Sequence, residues 1–237
     1  MYNEINNGLF INHLSKQFDK LKYYTPNVAS DSKLVAVIVE CRPLPYLLTV
    51  IKTVMFYLGD KWSLQIFHGL EHEDELKGEM KSWGNVHFES MGVDNITKIE
   101  YNNLLKSSSF WNKVKGDKVL IFQSDAILLR KGIEEFLDYD YIGAPWIKPK
   151  ENSYVGNGGL SLRTKDVMLK IAEEHTDDND PQEDIFFIKY LNGYNVADVK
   201  TAMKFSVNDV YFPNPLGLHN PVKINPSLLF NILENNE

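Results

Sequence analysis

Short apolar runs alternate with helical patterns through the first half of this chain. The runs are "KLVAVIVE" (33–40), "WSLQIFHG" (62–69), "NVHFES" (85–90) and "KVLIFQS" (118–124). Near-continuous apolar, β-branched runs of this length are typical of buried parallel strands. A helical pattern that ends at Gly59 follows the first run, and further helical patterns follow the others. This order predicts an α/β fold with a mostly parallel central sheet and helices on both faces.

The segments on either side of this region are less regular. Residues 8–22 have helical spacing and predict a helix on the outside of the main domain. After residue 139, "YDYIGAPW" predicts a strand and a bend. "VGNGGLSLR" predicts a glycine-rich loop, or alternatively a tight hairpin, followed by a strand-like stretch. Two further helices are predicted, the second starting at "PQEDIFF" with carboxylates in its first turn. Residues 221–237 are interpreted as a polar tail with one apolar patch.

Composition excludes several classes of protein. The formal net charge of -7 argues against a nucleic-acid partner, because such proteins need a basic surface. A single cysteine rules out an intramolecular disulfide and a thiolate metal cluster, and it favours a reducing, cytoplasmic location. No segment approaches the roughly 20 apolar residues of a membrane span, and the first residues do not resemble a signal peptide.

Polar residues follow the predicted strands at their carboxyl ends, where open α/β sheets bind ligands. "CRP" follows the first strand, "HG" the second and "QSD" the central one. Asp125 at the end of a buried strand needs a partner, and it is interpreted either as a ligand of Mn²⁺ or Mg²⁺ or as the cap of the following turn. His219, in the proline-bounded "PLGLHNP", is interpreted either as a metal ligand or as a structural histidine.

Three other segments carry candidate residues. The glycines of "GNGGLSLR" would let a flat ring approach the backbone. Glu183 and Asp184 lie at a predicted helix start, where one of them would deprotonate a hydroxyl or both would simply complement the helix dipole. Trp146 would either stack on a sugar or base or pack in the core.

Taken in order, these segments resemble a family regarded as GT-A-type glycosyltransferases and long classified as a domain of unknown function. The resemblance covers roughly residues 33–222 and is carried by "VLIFQSDAILL", "YDYIGAPW", "VGNGGLSLR", "EDIFF" and "PLGLHNP", with "VIVECRPLP", "LQIFHG" and "YNNLLKSSSFW" fitting its N-terminal half. It implies a GT-A, Rossmann-like fold in residues 33–222, with a nucleotide-sugar half (33–130) and an acceptor half (131–222). Residues 1–32 are then a helical extension and residues 223–237 a tail.

The resemblance also implies roles for individual residues. "QSD" occupies the place of the D-x-D motif, so that Asp125 and His219 would hold Mn²⁺ or Mg²⁺, while Gln123 departs from the usual first aspartate. Asp184, with Glu183 beside it, matches the catalytic base of inverting enzymes. The residues implied in nucleotide-sugar binding are Arg42, His68, Gln123, Ser124, Gly158 and Gly159. The residues implied in acceptor binding are Trp146, Asn157 and Arg163.

The resemblance thus implies an inverting, metal-dependent transferase that moves a sugar from a nucleoside-diphosphate sugar to a glycan or another hydroxyl acceptor. Two alternatives remain. A nucleotidyltransferase would share the sheet and the metal, but it would carry a glycine-rich, basic segment after the first strand, where this chain has "VECRPLP". The other alternative is a catalytically silent sugar-nucleotide-binding module. It stays open because Gln123 replaces a metal-binding carboxylate.

Overall fold

A six-stranded sheet forms the centre of the molecule in the computed structural model, which describes residues 2–234. The strands of the described chain are β1 (Leu34–Glu40), β2 (Ser63–His68), β3 (His87–Ser90), β4 (Lys118–Phe122), β5 (Ala126–Leu128), β6 (Tyr141–Lys150), β7 (Ser153–Thr164), β8 (Ser206–Val207) and β9 (Gly217–His219). The order in the central sheet is β3-β2-β1-β4-β7-β6. Strands β1 to β4 are parallel, and β7 runs antiparallel to both of its neighbours. The predicted mostly parallel sheet is therefore confirmed.

Helices cover both faces of this sheet, as the sequence predicts. They are α1 (Tyr2–Lys20), α2 (Leu47–Leu58), α3 (Glu73–Glu79), α4 (Lys98–Lys106), α5 (Ser108–Lys113), α6 (Lys165–Glu174), α7 (Glu183–Tyr190), α8 (Val199–Phe205) and α9 (Pro226–Glu234). Alternate residues of β1 enter two separate cores. Ile38 packs with α2 on one face, whereas Val37 packs with α5, α6 and α7 on the other.

A second, three-stranded sheet of order β5-β9-β8 was not predicted, because its strands are two or three residues long and show no periodic pattern. Strand β5 pairs antiparallel with β9, and Ala126 lies opposite His219. The backbone N–H of Asn220 also donates to the carbonyl oxygen of Asp125, at 3.2 Å. This small sheet therefore brings two segments more than 90 residues apart in sequence to the end of β4.

The glycine-rich part of "VGNGGLSLR" is neither a loop nor a hairpin, which corrects the sequence prediction, whereas the predicted strand-like part is confirmed. It lies inside the long strand β7, and the turn between β6 and β7 is made by Glu151 and Asn152, both with positive φ. The pairing of β6 with β7 shifts register at Gly143. A Cβ on Gly143 would overlap the carbonyl oxygen of Asn157, so the two backbones approach too closely for any other residue.

The predicted C-terminal tail contains helix α9, which is part of the structure; its last residues, 235–237, lie outside the described residues. Leu229 and Ile232 of α9 are buried in the same core as Phe10 of α1. The side-chain amide of Asn6 donates to two carbonyl oxygens just before α9, those of Pro221 (2.9 Å) and Ile224 (2.7 Å). Among residues 2–234, no helix has the length and apolar character needed to cross a membrane.

Candidate active site

A cleft of about 580 Å³ opens at the carboxyl ends of β1 and β4. Its walls come from the β1–α2 loop, the end of β4, the middle of β7, the starts of α4 and α7, and the end of β9. The predicted site residues that line it are Arg42, Gln123, Ser124, Asp125, Trp146, Asn157, Gly158, Gly159, Glu183, Asp184 and His219. The cleft is thus where an open α/β sheet binds its ligand.

Asp125 and His219, the predicted metal ligands, meet in this cleft. Nε2 of His219 lies 3.5 Å from Oδ1 of Asp125. The Asp125 side chain is 43% exposed, whereas His219 is almost completely buried. Burial lowers the pKa of His219, although the Asp125 carboxylate opposes this shift. The imidazole is therefore held neutral, which is the form that binds a metal ion.

Two amide side chains contact the imidazole of His219. Its Nδ1 lies 2.8 Å from Oδ1 of Asn157, and its Nε2 lies 3.0 Å from Oε1 of Gln123. Both amides line the cleft, but each is directed at the ring. Their predicted roles in acceptor and donor binding stay predictions.

The two adjacent glycines of β7 make room for side chains of the protein itself. A Cβ on Gly159 would overlap the imidazole of His219, and one on Gly158 would overlap the Glu183 carboxylate. The flat ring that approaches the glycine backbone is therefore that of His219. The sequence predicted the close approach but not the group that makes it.

The donor atoms around His219 suit a hard divalent cation. The described residues contain no group of three or more His, Cys, Asp or Glu side chains that could hold a metal ion. Asp125 and His219 supply two candidate ligands, and the Gln123 amide oxygen lies beside them, 3.0 Å from Nε2 of His219. Mn²⁺ and Mg²⁺ accept carboxylate and amide oxygens, imidazole suits Mn²⁺, and both ions leave positions open for phosphate oxygens.

Arg163 and Glu183 form a buried ion pair beneath the cleft. Nη1 and Nη2 of Arg163 donate to the two carboxylate oxygens of Glu183 at 2.7 and 2.9 Å, and Nε donates to Ser161. The Arg163 side chain is fully buried. The prediction that Arg163 binds the acceptor is therefore wrong. Both carboxylate oxygens of Glu183 are engaged by Arg163, which leaves Glu183 unsuited to act as a base.

Asp184, the next residue along, also lines the cleft. Its Oδ1 accepts a local hydrogen bond from the backbone N–H of Ile185, at 2.9 Å. Burial raises the pKa of Asp184 to about 6, and the negative charge of Glu183 adds to the increase, while Lys150 opposes it. A carboxylate with a pKa near the operating pH is the kind of group that serves as a general base.

Glu40, at the end of β1, organises the opposite wall and was not singled out in the sequence. Its carboxylate accepts two hydrogen bonds from the Arg42 guanidinium (2.8 and 2.7 Å), one from the Arg42 backbone N–H (3.1 Å) and one from the Ser124 hydroxyl (2.8 Å). Burial alone would raise the pKa of Glu40, but these bonds outweigh burial and keep it below its usual value. The sequence did contain a signal for Glu40. It is a carboxylate at the end of an apolar strand, just as Asp125 is a carboxylate that follows another apolar strand.

His68 does not reach the cleft, so its predicted contact with the nucleotide is wrong. The ring is buried against His72 and Phe88, and its Nδ1 lies 2.9 Å from the carbonyl oxygen of Gly69. Strand β2 pairs in parallel with β1, so His68 lies at the same end of the sheet as Glu40. The His68 side chain, however, points into the protein.

Trp146 lines the cleft but belongs mainly to the core, with only 4% of its surface exposed. The ammonium of Lys150 lies over its ring, 4.8 Å from the centroid. The alternative that Trp146 packs in the core therefore describes it best, and Lys150 is the group presented to a ligand there.

Further polar residues of the cleft were missed. Among them are Lys98 and Tyr101 from α4 and Lys223, which follows β9. Lys223 lies close enough to His219 for its charge to lower the pKa of the imidazole. A single lysine in a loop or on a helix face carries no distinguishing pattern in sequence.

Comparison with known families decides the relationship of the chain. The model of a family described as "Protein of unknown function (DUF5672)" matches residues 85–219, more than half of the chain. The chain belongs to this family. The match includes Gln123, Asp125, Asp184 and His219. Among curated proteins, none matches the chain.

A solved structure shares the fold. The apo form of the glycosyltransferase GlyE from Streptococcus pneumoniae TIGR4 superimposes with a TM-score of 0.50 at 11% identity, covering 85% of this chain and 63% of that one. A second GlyE structure gives 0.47 at 13% identity, covering 84% and 63%. The chain thus spans less than two thirds of the length of GlyE. At this identity the likeness establishes a shared glycosyltransferase-like fold.

Proposed function

We propose that this protein transfers a sugar, with inversion, from a nucleoside-diphosphate sugar to a hydroxyl group of a glycan or another acceptor. The observation that carries the proposal is the presence of two different acid sites in one cleft. Asp125 lies beside the neutral imidazole of His219, and Asp184 has a raised pKa next to Glu183, which is paired with Arg163. One site suits a cation and its diphosphate, and the other suits proton removal.

The donor would occupy the side of the cleft at the ends of β1 and β4. Arg42 is held there by Glu40, and three of its guanidinium N–H groups are left for a ligand. Lys223 adds a second positive charge on the His219 side, although Asp209 lies 3.7 Å from it. Asp125 and His219 would hold Mn²⁺ or Mg²⁺, whose positive charge would stabilise the departing diphosphate.

The acceptor would enter beside α7 and the β6–β7 hairpin. Asp184 accepts the proton of the acceptor hydroxyl as that oxygen bonds to the anomeric carbon and the bond from this carbon to the diphosphate breaks. The proton ends on Asp184 and the electron pair of the broken bond on the diphosphate. Charge that develops on the sugar resembles that in glycoside hydrolysis. General-base assistance contributes roughly 10²–10⁴-fold to such a step.

A donor-cleavage assay tests the proposal. Purified protein is incubated with Mn²⁺ and a panel of nucleotide sugars, and the products are separated by anion-exchange chromatography. We expect a nucleoside diphosphate to be released from at least one donor. Release of pyrophosphate from a nucleoside triphosphate and a sugar phosphate would identify a nucleotidyltransferase instead. Binding of a nucleotide sugar, without cleavage in the presence of varied sugar acceptors, would identify a binding module.

A further inference from the structure

The orientation of the Asn157 side chain is fixed by its neighbours. The backbone N–H of Gly159 donates to Oδ1 of Asn157 at 3.3 Å. An amide nitrogen cannot accept this bond, so Asn157 must present its oxygen on this side. The same oxygen lies 2.8 Å from Nδ1 of His219. Because two acceptors cannot bond each other, Nδ1 of His219 must carry a hydrogen and donate it to Asn157.

The other ring nitrogen therefore carries the lone pair whenever the imidazole is neutral. Nε2 faces Oε1 of Gln123 at 3.0 Å and Oδ1 of Asp125 at 3.5 Å. The ring is also packed against the backbone of Gly159, which leaves no room for a Cβ. With the Gln123 amide oriented as in the structure, two oxygen atoms thus face the lone pair of Nε2, one at 3.0 Å and one at 3.5 Å.

We propose that Gln123 Oε1, Asp125 and His219 Nε2 form a three-donor cation site, and that Asn157 is a positioning residue that fixes the Nδ1–H tautomer of His219. The proposal rests on the proposed function for the identity of the cation, Mn²⁺ or Mg²⁺. It gives Gln123 and Asn157 roles different from the donor and acceptor binding that the sequence resemblance implies.

The chemistry of the site agrees with this assignment. A neutral amide oxygen is an ordinary ligand of hard cations, so the glutamine in place of an aspartate changes the charge of the site without removing a ligand. A histidine ligand commonly donates its other N–H to an oxygen acceptor, which orients the ring. Asn157 would play that part here, and its loss would be expected to weaken metal binding by about 10–100-fold.

The tautomer is measured on the metal-free protein. Long-range proton–nitrogen NMR spectra of ¹⁵N-histidine-labelled protein distinguish Nδ1–H from Nε2–H rings, and the His219→Gln variant identifies the signal among the six histidines. We expect the Nδ1–H form in the wild type and a gain of Nε2–H form in Asn157→Ala. Asn103→Ala, on the exposed side of α4, should leave the signal unchanged. An Nε2–H ring in the wild type would overturn the assignment of Asn157.

Cation binding is measured with Mn²⁺ alone, by the electron paramagnetic resonance signal of the free ion. We expect Asp125→Ala and His219→Gln to abolish the site, Asn157→Ala and Gln123→Leu to weaken it, and Gln123→Glu to strengthen it because a carboxylate replaces the amide. Circular dichroism checks that each variant is folded. Unchanged affinity in Gln123→Leu would show that the amide is turned to donate to Nε2, and would overturn Gln123 as a ligand.

The outcomes separate this inference from the proposed function. If the wild type cleaves a nucleotide sugar but does not bind Mn²⁺ through these residues, the cation site is wrong and the transferase assignment stands. If Mn²⁺ binds with the expected pattern of variants but no nucleotide sugar is cleaved, the site stands and the transferase assignment falls.

Discussion

Two neighbouring carboxylates, Glu183 and Asp184, have opposite environments. Glu183 is paired with Arg163 in the protein interior, whereas Asp184 lines the cleft with a pKa raised to about 6. The sequence could predict that adjacent carboxylates at a helix start point to different sides. It could not predict which one is paired, because the arginine that pairs with Glu183 comes from a strand 20 residues away.

Replacing Asp184 by Asn should abolish most of the transfer and leave donor binding nearly intact. We expect kcat to fall by roughly 10²–10⁴-fold, since the amide cannot accept the acceptor proton. In the wild type, kcat/KM should fall as the pH drops below about 6, the pKa to which burial raises Asp184, because the protonated acid is not a base. The measurement is the pH profile of nucleoside diphosphate release.

Asp166→Asn is the matched control for this variant. Asp166 is an exposed acid in the first turn of α6, outside the cleft. Its replacement should change kcat by less than twofold. Full transfer activity in Asp184→Asn would remove the base assignment and favour a retaining mechanism.

The substitution Asp184→Asn should also stabilise the protein at neutral pH. The folded-state pKa of Asp184 is raised above its unfolded value, so the folded protein binds the proton more tightly. Stability therefore decreases as the pH rises from the unfolded pKa of about 4 through the folded pKa of about 6. Asn carries no charge and avoids this loss.

Thermal unfolding across pH tests this trade-off between stability and activity. We expect Asp184→Asn to have a higher Tm than the wild type at pH 7–8 and a similar Tm below about pH 4, where both side chains are neutral. Asp166→Asn should show no such dependence. A lower Tm for Asp184→Asn at pH 7–8 would mean that the carboxylate stabilises the fold. The idea that the protein keeps this carboxylate for function at the expense of stability would then be wrong.

At the scale of elements, the large strands and helices follow from the sequence and the small sheet does not. The strands β1, β2 and β4 are near-continuous apolar runs, and Gly59 ends α2 as predicted. The short strands β5 and β9 are specified by their pairing with each other, which is a tertiary contact. The sequence could therefore predict that Asp125 and His219 belong together only through the family resemblance.

Arg163 joins strand β7 to helix α7, and its loss should destabilise the protein strongly. Arg163→Leu leaves the Glu183 carboxylate buried without a partner, which typically costs about 3–5 kcal/mol. Urea denaturation measures the free energy of unfolding. The double variant Arg163→Leu, Glu183→Leu should recover much of the loss, because it removes both charges. A loss below about 1 kcal/mol in the single variant would show that the pair contributes little.

At the scale of the whole molecule, the two terminal segments are packed together against the main core. Helix α1 contacts α9 through buried apolar residues, and Lys16 forms a 2.8 Å ion pair with Glu234. The sequence predicted the first helix but interpreted the last residues as a tail, because nine residues are too few to show a clear helical period. The division of the chain at residues 32 and 222, and the cytoplasmic location expected from its single cysteine, stay predictions.

Two adjacent residues of α9 test whether this helix is part of the folded unit. Leu229 is fully buried, whereas Phe230 is 50% exposed. Leu229→Ala removes methyl groups from the core and leaves a cavity, so we expect a loss of about 2–5 kcal/mol in the free energy of unfolding. Phe230→Ala, the matched control, removes a larger side chain from a wetter position and should cost less than about 1 kcal/mol. Urea denaturation followed by tryptophan fluorescence measures both. Equal, small effects of the two substitutions would mean that the C-terminal residues behave as a detached tail. A single cooperative unfolding transition that is shifted by Leu229→Ala alone would establish the opposite: residues at the two ends of the chain unfold together with the sheet that carries the cleft.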